Sequence, residues 1–145
     1  VIRRATAGDA EAIARVEVRA FQHAYGDILD PGFLADMDLE ERTAAWQRVL
    51  ADASSAVWVA EGDGRIVGYA SVRAGTLTTL YVDPVAQGAG IGTRLLTEAE
   101  AAGATDLEVF EANGHGRRFY EDRGWRDAGP AGEWLDRPLR RYVRP

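Results

Sequence analysis

The chain has 145 residues, 46% of them hydrophobic and 28% charged, with a formal net charge of −6 and no cysteine. That is the size and balance of a single folded domain, residues 1–145, with enough core to stand without disulfides or a structural metal. The acidic balance argues against non-specific binding to nucleic acid or an acidic membrane, the absent cysteine excludes a thiolate zinc site or cysteine nucleophile, and no apolar run suits a signal peptide or membrane span.

In chain order, Ile2 to Ala5 reads as a short edge strand. Thr6 and Asp9 stand at capping-box spacing, and Ile13, Val16, Ala20, Phe21 and Ala24 continue as an apolar stripe. A helix is expected over about Asp9 to Tyr25, ended by Gly26. Asp30-Pro31-Gly32 reads as a turn, and Leu39 to Ala51 as a second helix, in which Trp46 belongs to the core. Ala56 to Ala60 and Arg65 to Arg73 flank the turn Glu61-Gly62-Asp63-Gly64, and Leu77 to Val82 follows Ala74-Gly75. Together they predict an antiparallel meander that Pro84 stops. Beyond it come a helix over Thr93 to Ala102, a strand over Leu107 to Phe110 and a helix over Arg117 to Arg123. The last strands are expected at Trp125, Glu133-Trp134 and Leu139 to Val143. The order predicts an α+β, or mixed α/β, layered domain.

The segment richest in chemistry runs from Leu80 through Tyr81, Val82, Asp83, Pro84, Val85, Ala86, Gln87, Gly88, Ala89, Gly90, Ile91 and Gly92 to Thr93. A strand ends, a polar turn follows, and three glycines at alternate positions open a helix. Unpaired N–H groups and the helix dipole favour an anion there, and glycine lets a phosphate approach the backbone. A P-loop is excluded because Thr93-Arg94 follows Gly92 where Lys-Ser/Thr is required. Gly88-x-Gly90-x-x-Thr93, with Glu111 downstream, nearly fits a dinucleotide fingerprint. The third glycine or alanine is missing, and too little chain remains for a doubly wound sheet.

Gln87-x-x-Gly90-x-Gly92, preceded by Leu80 to Pro84, resembles the acetyl-CoA signature of the GNAT N-acetyltransferase superfamily. Leu107 to Asn113, followed by Arg118-Phe119-Tyr120 and Gly124-Trp125, resembles the next block of that family. The resemblance covers about Val57 to Trp125. Asn113 to Gly116 (Asn-Gly-His-Gly) departs from it, where small helical residues are usual, and predicts a late start for that helix.

The resemblance implies a central, mostly antiparallel sheet with helices on both faces, splayed between its fourth and fifth strands. The fourth strand would end in a bulge. It also implies acetyl-CoA as acyl donor, its pantetheine arm against Leu80 and Val82 and its pyrophosphate on the N–H groups of Gly88 to Thr93. Asn113 would touch the arm, the Val82 N–H would receive the oxyanion, and Tyr120 would be the acid for the leaving thiolate. Glu108 matches a glutamate that serves as base in ribosomal-protein N-acetyltransferases, with Glu111 in reserve. Strand alternation puts Glu108 opposite Leu107 and Val109, away from the core. No metal-ligand spacing or Ser-His-Asp set involves His23 or His115, so no metal is expected.

The acceptor is expected to be a small-molecule or peptide amine. Acidic residues between the first helices (Asp27, Asp30, Asp36 and Asp38, with Phe21, Tyr25, Phe33 and Met37) suit a cationic one. A monomer or homodimer in the cytoplasm is expected. These residues are also compatible with an acyl-CoA-binding sensor that performs no transfer.

Overall fold

Alternating apolar residues pair the central segment into strands, and stripes at helical spacing cover both faces of the resulting sheet. The computed structural model describes Val1–Pro145. Its elements are β1 (Ile2–Arg4), α1 (Ala10–Ala24), α2 (Pro31–Ala35), α3 (Leu39–Ala51), β2 (Ser55–Gly62), β3 (Arg65–Arg73) and β4 (Thr76–Val82), then α4 (Ile91–Ala101), β5 (Asp106–Phe110), α5 (Gly114–Glu121), β6 (Arg126–Trp134) and β7 (Arg137–Val143). Strand order in the single seven-stranded sheet is β1-β2-β3-β4-β5-β7-β6. All neighbours are antiparallel except β4 and β5.

The predicted splay is present. The parallel pair β4–β5 is in register only at Thr76↔Asp106, where Thr76 Oγ1 also donates to Asp106 Oδ1 at 2.7 Å. The bulge lies near the start of β4 rather than at its end. Ser71 faces Thr79 and Val72 faces Leu77, so Thr78 is the extra residue. Its hydroxyl donates to the Ser71 carbonyl at 3.0 Å. An extra residue bends its strand, and here the bend coincides with the point where β4 leaves β5.

Two cores flank the sheet. On one face Leu95, Leu96 and Ala99 of α4 pack on Trp58, Ala70 and Leu107. On the other, Ile13, Ala14 and Val16 of α1 and Trp46 of α3 pack on Val57, Val59 and Tyr69. The neighbours Val57 and Trp58 thus serve opposite faces, as strand alternation requires. A third cluster joins Phe21, Tyr25, Leu29 and Leu34 to Phe110 and Leu139. It closes the end of the splay remote from α4.

Local structure departs from the sequence reading in three places. Asp30-Pro31-Gly32 opens the short helix α2, with proline at its first position and the Asp30 carboxylate accepting the Gly32 N–H at 2.7 Å. Helix α5 starts at Gly114 rather than Arg117, because Asn113 Oδ1 accepts the Gly116 N–H at 2.9 Å. Arg126 to Trp134 is one continuous edge strand whose register breaks beside Gly129 and after Pro130. An edge tolerates proline because one side of the strand needs no donor.

Candidate active site

The unpaired length of β4, the head of α4, the end of β5 and one face of α5 enclose a cavity of about 1160 Å³. The residues singled out from the sequence converge on it. Leu80, Tyr81, Val82, Gln87, Gly88, Gly90, Ile91, Gly92, Thr93, Glu108, Asn113 and Tyr120 all line it; of the expected cofactor contacts and the first-choice acid and base, Ala89 alone does not.

The strand edge is polar for a geometric reason. Antiparallel pairs alternate between residues that exchange hydrogen bonds and residues that do not. The Asp83 N–H donates to the Val67 carbonyl at 2.7 Å, which sets the phase. Tyr81 and Thr79 therefore bond to β3, while Leu80 and Val82 direct their backbone groups away from it, into the splay. Gln87 Nε2 donates to the Val82 carbonyl at 3.2 Å, tying the turn to the strand end.

At the head of α4, no backbone N–H from Gly88 to Thr93 donates to a protein acceptor; the first to do so is that of Arg94, to the Gly90 carbonyl at 3.1 Å. Six donors thus cluster at the positive end of a helix dipole. Gly88 and Gly90 have φ of 87° and 79°, the left-handed region that glycine adopts freely. A Cβ at either would meet nothing within 4 Å. Gly92 has a different cause, since a Cβ there would lie 3.2 Å from the Phe119 ring. The turn is anchored from below by Asp83, which is buried, accepts the Val85 N–H at 3.1 Å and is ion-paired with Arg19 of α1.

Tyr120 is buried in α5 beside Trp125 and Tyr142, with ring centroids 6.1 and 6.4 Å away. Its hydroxyl bonds to no protein group, although its ring lines the cavity. Burial pushes its pKa well above the ordinary tyrosine value of about 10, so it holds its proton through the neutral range. Asn113 lines the cavity while its carbonyl oxygen caps α5. A Cβ on residue 116 would lie 2.5 Å from Asn113 Nδ2, so Gly116 makes room for the amide. The unusual Asn-Gly-His-Gly run is therefore a capping device.

Glu108 projects from β5 as an exposed carboxylate in the cavity wall and has no ion-pair partner. Its cross-strand neighbour Arg141 pairs instead with Asp106 at 3.2 Å. Glu111 is outside the lining and pairs with Arg140 at 3.3 Å. His115 lines the cavity and His23 does not.

Several lining residues were not singled out beforehand. Arg123 Nε donates to Thr93 Oγ1 at 2.8 Å, and its guanidinium lies 3.8 Å from the Phe119 ring centroid, placing a cation beside the glycine turn. A late arginine after Phe-Tyr is the only sequence signal for it. At the opposite end stand Phe110, Ala131, Glu133, Trp134 and Leu139, together with Tyr25, the one residue of the expected acceptor region that reaches the lining. The acidic residues between the first helices are elsewhere. Asp38 caps α3 through the Glu40 N–H at 2.9 Å, Asp30 caps α2, and neither they nor Asp27 and Asp36 line the cavity.

Comparison with known proteins matches this geometry. The family model for the acetyltransferase (GNAT) domain covers residues 34–134. An uncharacterised N-acetyltransferase of Mycobacterium tuberculosis is 31% identical over 133 residues, covering 83% of this chain and 85% of that protein. The PaiA N-acetyltransferase of Thermoplasma acidophilum, solved in complex with coenzyme A, superposes with a TM-score of 0.75 at 18% identity over 97% of this chain and 96% of its own. The yncA protein of Salmonella typhimurium, solved with its cofactor acetyl-CoA, gives 0.70 at 24% identity over 100% and 94%. A family match over more than half the chain, on a sheet splayed between the two strands that flank the family signature, makes this protein a member of the GNAT N-acetyltransferase family.

Proposed function

We propose that the chain transfers the acetyl group of acetyl-CoA to a primary amine by direct attack within a ternary complex. The six free N–H groups at the head of α4, beside the unpaired edge of β4, carry this reading. They suit a pyrophosphate, and Arg123 adds a charge for a further phosphate. The backbone edge at Leu80 and Val82 suits the amides of the pantetheine arm, which would extend the sheet where β5 has left it.

The chemistry follows from proton bookkeeping. A lysine-like amine has a pKa of about 10.4, so roughly one molecule in 2,500 is neutral at pH 7. Glu108 accepts the amine proton, directly or through water. The amine nitrogen bonds to the thioester carbon, and the Val82 N–H donates to the oxygen as it gains charge. The carbon–sulfur bond then breaks, and Tyr120 gives its proton to the sulfur. The products are an N-acetyl amine and free CoA thiol; the second proton that the nitrogen sheds as the intermediate collapses passes to the Tyr120 phenolate, and Glu108 releases the first to solvent, so both groups return to their starting state.

Replacing Tyr120 with Phe tests the assignment. Steady-state thiol release should fall on the order of a hundredfold or more, with acetyl-CoA affinity by calorimetry unchanged. Loss of acetyl-CoA affinity with kcat preserved would make Tyr120 a packing residue.

A further inference from the structure

The end of the cavity remote from the glycine turn is walled by aromatic rings. Tyr25 meets Phe110 edge-on at 5.1 Å, and Trp134 stacks on Phe110 with centroids 5.5 Å apart and planes 16° from parallel. Phe21 backs both, 4.8 Å from Tyr25 and 6.2 Å from Trp134. Phe110 and Tyr25 are buried, whereas Trp134 is 46% exposed. One indole face therefore rests on Phe110 while much of the ring stays open.

The wall is held in place. Leu135 and Asp136 have φ of 52° and 61°, the two-residue turn that makes a tight hairpin of β6 and β7 and ends β6 at Trp134. Arg137 Nε donates to the Ile28 carbonyl at 2.8 Å, fastening that hairpin to the segment after α1. An indole kept half-open on a fastened hairpin, at the wall of a cavity, is placed for stacking rather than for core packing.

Charge completes the pattern. Glu133, next to Trp134, and Glu108 on β5 both line the cavity, and neither joins an ion pair or hydrogen bond with the protein. The cation Arg123 stands at the glycine turn. The cavity is thus basic where an anion would lie and acidic beside the aromatic wall.

Accepting the transferase reading above, we infer that the acceptor is a primary amine carrying an aromatic ring a few bonds from its nitrogen. The ring stacks on Trp134, and the ammonium lies between Glu108 and Glu133 before it surrenders its proton. An aliphatic polyamine would satisfy the carboxylates and leave the indole unused.

Calorimetric titration of the CoA-loaded protein with 2-phenylethylamine, n-butylamine and spermidine reads binding whether or not transfer follows. The phenyl compound should bind about tenfold more tightly than n-butylamine. Trp134→Ala should abolish that margin while n-butylamine binding stays the same; the half-exposed position tolerates the change. Glu133→Gln should weaken both monoamines alike. Spermidine or n-butylamine binding as tightly as the phenyl compound would overturn the inference, as would a margin that survives Trp134→Ala. Selective binding without acetyl transfer would support the inference and overturn the catalytic reading. Transfer restricted to aliphatic amines would do the reverse.

Discussion

In the proposed mechanism Tyr120 and Glu108 divide the proton traffic because their surroundings differ. Tyr120 is enclosed by aromatic rings, which favour its neutral form and make it a donor across the neutral range. Glu108 lies on an exposed strand position with no competing cation, so its carboxylate is free to accept. Replacing Glu108 with Gln should lower kcat/KM at pH 7 by about a hundredfold. The deficit should shrink as the pH rises toward the amine's own pKa, where the acceptor is already neutral. A pH profile of wild type and variant measures this; a deficit independent of pH would mean that Glu108 only orients the amine.

At the scale of elements, the turn before α4 and the capping box before α1 make separate predictions. Gly90 occupies a left-handed conformation, which costs an L-residue roughly 1–2 kcal/mol. Gly90→Ala should therefore loosen the turn and weaken acetyl-CoA binding about tenfold, read by calorimetry. Before α1, the Asp9 carboxylate takes two hydrogen bonds from Arg3, at 2.9 and 3.0 Å, and one from the Thr6 N–H at 2.7 Å. The Arg3 bonds above all hold its pKa down to about 2. The unfolded chain takes up that proton first, near pH 3.9, so Asp9 stabilises the fold above about pH 4 and stops doing so as the pH falls toward 2. Thermal midpoints measured across that window should drop for the wild type. Asp9→Asn should start lower and fall less steeply.

Legibility also varied by element. The meander and the α4 stripe were plain because alternation and helical periodicity report burial directly, as at Leu95, Leu96 and Ala99. Strand β6 shows in the sequence only near its two ends, at Trp125 and at Glu133-Trp134, since Asp-Ala-Gly-Pro-Ala-Gly between them carries turn residues and no alternation. Its pairing comes from β7, a tertiary partner that local pattern does not reveal. The same applies to Trp134 and Glu133, which reach the cavity only because the β6–β7 hairpin folds beside β5. The glycine turn was legible because its cause is local: a strand end, a backbone needing positive φ, and a helix start within one short segment.

Across the whole molecule, one sheet defect organises the site. The bulge at Thr78 and the single register pair Thr76↔Asp106 open the sheet, and cores on both faces keep it open. The aromatic cluster closes one end and the glycine turn the other. The most direct measurement follows N-acetyl product by mass spectrometry and free CoA thiol by colour, in one reaction of purified protein, acetyl-CoA and a panel of primary amines. The two products should appear in equal amounts, only when amine is present, and both should be lost in Tyr120→Phe. Saturable acetyl-CoA binding with no transfer to any amine would contradict the account and make the chain an acyl-CoA-binding module.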